Sequence, residues 1–161
     1  MDKQQIEILG RQRLIEDLLR GGVEVAMPIR DRGTDLIAYI DIDDVKGTAQ
    51  TRPFVAVPIQ MKAASTRSFG LDSKYQRVSN LMLVYVWGVG SPARSEFFAL
   101  TYSDALGIAT DLGWTKNASW TKGRYVSNNP NAELMKRLDP FRVQSPDWQA
   151  RIRAVAAMKN H

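Results

Sequence analysis

The run FVAVPIQMKA (residues 54–63) is rich in β-branched and apolar residues and too short for a free-standing helix. Thr51-Arg52-Pro53 precedes it and Ser65-Thr66-Arg67 follows it, so the run predicts a strand. Side chains alternate faces along a strand, so Val55, Val57, Ile59 and Met61 form one apolar set. Phe54, Ala56, Pro58, Gln60 and Lys62 face the other way. Gln60 and Lys62 therefore project from one side near the strand's end. Pro58 donates no ladder hydrogen bond and predicts an edge position or a bulge.

Working upstream, IRDRGTDLIAYIDI (residues 29–42) turns at Gly33 and then alternates. Asp35, Ile37, Tyr39 and Asp41 share one face, and Leu36, Ala38, Ile40 and Ile42 the other. DDVKGT (residues 43–48) reads as the connecting turn, with Gly47 free to take a positive φ. Two adjacent strands would bring Asp35 towards Gln60 and Lys62. A carboxylate and an amide oxygen are hard ligands suited to Mg²⁺ or Mn²⁺, and the Met61 backbone carbonyl would be a third. Lys62 could orient or help deprotonate a water for attack on a phosphodiester.

The first helix is predicted over residues 3–20, with Asp2 and Gln5 as a capping box and Gly21-Gly22 as its stop. Ile8, Leu14, Ile15, Leu18 and Leu19 form its apolar stripe, and Glu7 and Arg11 fall on the same stripe. A short strand over residues 23–29 follows.

A helix, a strand, an Asp at the start of a second strand and a third strand ending in Gln-x-Lys together resemble the PD-(D/E)XK nuclease superfamily, which includes restriction endonucleases and Holliday-junction resolvases. The matching pieces are GRQRLIEDLLRGGVEVAMP, DRGTDLIAY and VPIQMKA, within roughly the first 65 residues. The resemblance implies an α/β, restriction-endonuclease-like core: a central mixed β-sheet flanked by helices, in the order α-β-β-β-α-β-β-α-α-α. It implies that Asp35, Gln60 and Lys62 are catalytic and that Asp35, Gln60 and the Met61 carbonyl hold Mg²⁺ or Mn²⁺. Gln60 stands where most members carry an acid. The first helix of the family often adds a glutamate to the metal site; Arg11 occupies that position here, and Glu7, a turn earlier, is the substitute. The alternative is a plain i,i+4 ion pair between Glu7 and Arg11.

Candidate nucleic-acid contacts are Arg30 and Arg32, which flank the proposed site and are otherwise plain exposed turn arginines, and Arg67 and Lys74 beyond it, the latter on a short helix expected over residues 73–78. Residues 81–89 (LMLVYVWGV) predict a strand buried on both faces, and residues 96–101 its hairpin partner. Ser103 is the expected cap of a helix ending at Gly113. Between residues 113 and 131, Trp114, Trp120 and Tyr125 interleave with Lys116, Lys122 and Arg124. Such a pattern either stacks bases and binds phosphates or closes a core with solvated lysines around it. A short helix over residues 132–138 and a last one over residues 145–159 complete the chain. Trp148, Ile152, Val155 and Ala156 line one side of the last helix, to cover the sheet or make a homodimer contact.

At 161 residues with 44% apolar content, one domain spanning 1–161 with a proper core is expected. The net charge of +5 favours an anionic partner such as DNA. The absence of cysteine excludes thiolate zinc sites, disulfides and cysteine nucleophiles, and the one histidine, His161, argues against histidine-based catalysis. No secretory signal or apolar run of bilayer length is visible, so a cytoplasmic chain without a membrane partner is expected. The function expected is metal-dependent DNA hydrolysis. The alternative is an inactive nuclease-fold module that binds nucleic acid or a protein partner.

Overall fold

A computed structural model describes residues 1–30, 32–42 and 51–158. Helix α1, Lys3–Arg20, opens with the expected capping box: Gln5 N donates to Asp2 Oδ1 at 2.9 Å and Asp2 N to Gln5 Oε1 at 3.0 Å. Gly10, Leu14 and Leu18, spaced by four, are its buried residues. Ile8 and Leu19, placed on the stripe from sequence, are instead 56% and 49% exposed. The helix meets the sheet at Gly10, where an added Cβ would lie 2.5 Å from Ala63 Cβ. That close approach centres the buried face on Gly10 and turns Ile8 and Leu19 outwards.

Among the described residues the main sheet has six strands, in the spatial order β1 (Glu24–Ala26), β2 (Leu36–Ile40), β3 (Val55–Ala63), β5 (Met82–Trp87), β6 (Glu96–Thr101) and β8 (Arg142–Val143). Strand β1 is only Glu24–Ala26, shorter than the expected 23–29. Pro28, which has no N–H to give, lies just beyond it, and Ile29 is fully exposed. Strand β2, Leu36–Ile40, buries Leu36, Ala38 and Ile40 in the predicted alternation. Strand β3, Val55–Ala63, buries Val57, Ile59 and Met61 on that same face. Their register runs without a bulge from Leu36 opposite Ile59 to Ile40 opposite Val55. Pro58 is tolerated for a simple reason of parity. Asp35 N donates to Ile59 O at 2.8 Å, so Ile59 points its backbone groups at β2 and Pro58 points away. Strand β5, Met82–Trp87, begins pairing only at Ile59, so Pro58 faces no ladder. The turn expected over residues 43–48 lies outside the described residues, as do Lys159 and His161.

β3 and β5 form the sheet's parallel pair, and a crossover joins them. It holds strand β4, Phe69–Asp72, and a 3-10 helix, Ser73–Arg77, where the sequence suggested only a short helix. β4 pairs antiparallel with β7, Arg124–Ser127, as a separate two-stranded sheet. β5 is buried along its whole length, as its unbroken apolar run requires, and pairs antiparallel with β6, Glu96–Thr101. β6 then pairs with β8, Arg142–Val143. Helix α2, Tyr102–Asp111, is capped by Thr101, not Ser103: Asp104 N donates to Thr101 Oγ1, and Thr101 N to Asp104 Oδ2. The strand thus runs directly into the helix, which moves the cap two residues earlier.

Helices α3, Ala118–Thr121, α4, Ala132–Leu138, and α5, Trp148–Ala156, complete the chain, with residues 145–147 forming a 3-10 turn ahead of α5. The sheet divides two cores. On one side, Leu14 and Leu18 of α1 and Trp148, Ile152 and Val155 of α5 cover β2, β3 and β5. Burying each such side chain contributes roughly 1.5–3 kcal/mol, so the apolar side of α5 is used within the chain. On the other side, Phe69, Leu71 and Tyr75 of the crossover join α2 and α4 over β5 and β6. Trp114 belongs here as well, stacked on Tyr125 at 4.3 Å and packed beside Phe69 at 5.8 Å. No helix among the described residues is long and apolar enough to cross a membrane.

Candidate metal and phosphodiester site

β2 runs out at Leu36, so beyond it the Met61 N–H has no strand partner on that side. A shielded N–H left unpaired costs roughly 1–3 kcal/mol. Asp35 supplies the missing acceptor, and Met61 N donates to its Oδ2 at 2.6 Å. The Gln60 amide nitrogen donates to the same Asp35 oxygen at 2.7 Å and to the Met61 carbonyl at 3.2 Å. Asp35, Gln60 and Met61, expected together from sequence, thus converge on one point, which the amide nitrogen of Gln60 occupies.

Lys62, two residues on and on the same face as Gln60, donates from Nζ to Tyr75 Oη at 2.8 Å. Burial first, then the neighbouring charges of Lys74 and Arg124, push its ammonium below the ordinary lysine value; Asp72 and Asp35 pull the other way. All of these residues line one cleft of about 720 Å³ at the C-terminal end of β3. Glu7 and Arg67 line it too, as do Ser65 and Thr66. Arg30 and Arg32 are exposed and lie outside the cleft's lining, just ahead of the Gly33 turn that leads the chain into the site.

Glu7 reaches the cleft, yet its carboxylate accepts from Arg11 NH2 at 3.3 Å, so the i,i+4 pair is formed as well. Arg67 is held by Glu96 at 3.2 Å.

No family model, curated protein or solved structure matches this chain. The chemistry of the site therefore rests on its own donor set. Rotating the Gln60 amide about its last torsion would put Oε1 where Nε2 now lies, next to Asp35 Oδ2 and the Met61 carbonyl. One carboxylate, one amide oxygen and one backbone carbonyl fit a hard divalent cation such as Mg²⁺ or Mn²⁺, with water completing the shell. The set is poor in charge: among the described residues no group of three His, Cys, Asp or Glu side chains converges.

Two residues reach the cleft only through the tertiary fold. Tyr75 touches Lys62 only because the 3-10 helix folds back over β3, and Arg124 arrives through the pairing of β7 with β4, in which it stands opposite Asp72. Arg124 lies in the aromatic and basic segment, but Trp114 and Tyr125 of that segment serve the core.

Proposed function

We propose that the chain has a restriction-endonuclease-like core and is a metal-dependent endonuclease that hydrolyses phosphodiesters of DNA. The observation that carries this reading is the convergence of Asp35 Oδ2, the Gln60 amide and the Met61 carbonyl beside Lys62, inside a cleft that also holds Lys74 and Arg124. A bound Mg²⁺ or Mn²⁺ supplies charge neutralisation at the phosphate and a water of lowered pKa. Asp35 would hold the cation with its single negative charge, together with the Gln60 amide oxygen and the Met61 carbonyl. Lys62, held in place by Tyr75, orients the attacking water and stabilises the negative charge that grows on the phosphoryl oxygens. Lys74 and Arg67 neutralise the backbone around the scissile group.

The test is nicking of supercoiled plasmid in Mg²⁺ or Mn²⁺ by the wild type, Asp35→Ala and Lys62→Ala. Loss of nicking in both variants is expected. Equal cleavage by all three proteins would remove the assignment.

A second reading is a nuclease-fold module that binds DNA without cutting it. The neutral Gln60 and the engagement of Glu7 by Arg11 favour it, since together they leave Asp35 as the main anionic ligand. It predicts DNA binding that falls steeply with salt and is indifferent to EDTA and to Asp35→Ala.

A further inference from the structure

Around Tyr75 the wall of the cleft carries a second cluster. Tyr75 is buried, accepts a hydrogen bond from Lys62 on its hydroxyl, and lies beside two ammonium groups. Lys62 Nζ lies 4.7 Å and Lys74 Nζ 5.1 Å from the ring centroid. Arg124, opposite Asp72 in the β4–β7 pairing, lines the same cleft. The Tyr75 hydroxyl oxygen, by accepting from Lys62 Nζ, offsets part of the cost of holding it beside Lys74. Asp72 is the acid of this wall, with Oδ2 at 3.9 Å from Lys74 Nζ, the loose limit of an ion pair, and Oδ1 accepting from Lys74 N at 3.0 Å. Lys62, Lys74 and Arg124 outnumber Asp72 and Asp35 in one concave cleft, and the positive excess suits an anion with several acceptor oxygens.

We propose that Lys74 and Arg124, with Tyr75 holding Lys62 beside them, form a phosphate subsite that takes the DNA phosphodiester next to the one at Asp35. This rests on the nuclease reading of the cleft. Tyr75 is a positioning residue: it contacts no phosphate itself and acts by gathering the lysines.

The experiment is fluorescence anisotropy of a labelled DNA duplex in EDTA across a salt series. The proteins are wild type, Lys74→Ala, Arg124→Ala, their double variant, Tyr75→Phe and, as a control on the far side of the molecule, Arg153→Ala. Each single variant of the pair should weaken binding several-fold, and the double variant should reduce the log–log salt slope by about one, for the one phosphate they share. The double variant should lose less than the product of the two, because both side chains serve one phosphate. Tyr75→Phe keeps the ring and the net charge, so a reduced slope in this variant reports released lysines, which a merely structural tyrosine would not produce. Lys74→Ala and Arg124→Ala behaving like Arg153→Ala, or losses that simply multiply, overturn the subsite while wild-type DNA binding stands. A wild type that binds no duplex removes the nuclease reading and the subsite together. Protection of the wild type against thermal unfolding by inorganic phosphate, without duplex binding, would make free phosphate the ligand and also overturn the proposal.

Discussion

The amide nitrogen of Gln60 lies 2.7 Å from Asp35 Oδ2 and spans to the Met61 carbonyl, so a neutral donor sits between the oxygens that would hold a cation. A glutamate at this position would have no proton to offer Asp35 near neutral pH. Gln60→Glu should therefore lower the stability of the metal-free chain by about 1–2 kcal/mol, since one donor is lost and two carboxylates face each other. It should also bind Mn²⁺ more tightly, because ligand charge sets affinity for hard cations. Thermal unfolding with and without Mn²⁺ measures both; a metal-induced shift no larger than that of wild type would contradict the assignment of Gln60 as a ligand.

Lys62 separates catalysis from stability. Its stem is largely buried and its ammonium is desolvated, so Lys62→Met keeps the packing and removes a charge that burial disfavours. Stability should stay within about 1 kcal/mol of wild type, while the nicking rate should fall by at least about a hundredfold. Denaturant unfolding alongside plasmid nicking checks the pair. Full activity in the methionine variant would rule out a role for the ammonium.

Gly10 controls how closely α1 lies on β3. Alanine is the better helix former by up to about 1 kcal/mol, but its Cβ would meet Ala63 Cβ at 2.5 Å. Overpacking of this kind costs roughly 1–3 kcal/mol, so steric conflict outweighs propensity and Gly10→Ala should lower the melting temperature. A variant that melts higher than wild type would show that α1 can lift off the strand freely.

Glu96 gives the fold an acid-sensitive tie. Partial burial pushes its carboxyl up, but hydrogen bonds from Arg142 at 2.6 Å and Arg67 at 3.2 Å outweigh this and hold it below its ordinary value of 4.5. A carboxyl lowered in the folded state contributes stability above its unfolded pKa and loses it as pH falls through the folded one. Glu96→Gln should therefore be less stable than wild type at neutral pH, and the difference should shrink as pH falls below about 4.5. Urea unfolding at neutral pH and in acid tests this; a constant difference would exclude the carboxylate as its source.

Much of this architecture was legible before any fold was known. Alternation along residues 54–63 placed Gln60 and Lys62 on one face, the capping box set the start of α1, and the unbroken apolar run at β5 marked a strand covered on both sides. β4 was not legible, because Phe69 and Leu71 are its only large apolar residues and alternate with Gly70 and Asp72 in a polar stretch. The cap of α2 was misplaced for a related reason: Thr101 ends a strand and begins a helix at once, and only the bonds to Asp104 show which residue does the capping.

The sequence by itself determined what depends on neighbouring residues: which side chains share a face of β3, where α1 starts, and that Asp35 stands just ahead of β2. These follow from backbone geometry that repeats over two to four residues. Only the tertiary structure decided that Asp35 replaces a missing strand partner of Met61, that the Gln60 amide bridges them, and that Tyr75 and Arg124 complete the wall around Lys62. Those contacts join elements far apart in the chain, and their registry is set by how β2 ends and how the crossover folds back over β3, which no local pattern encodes.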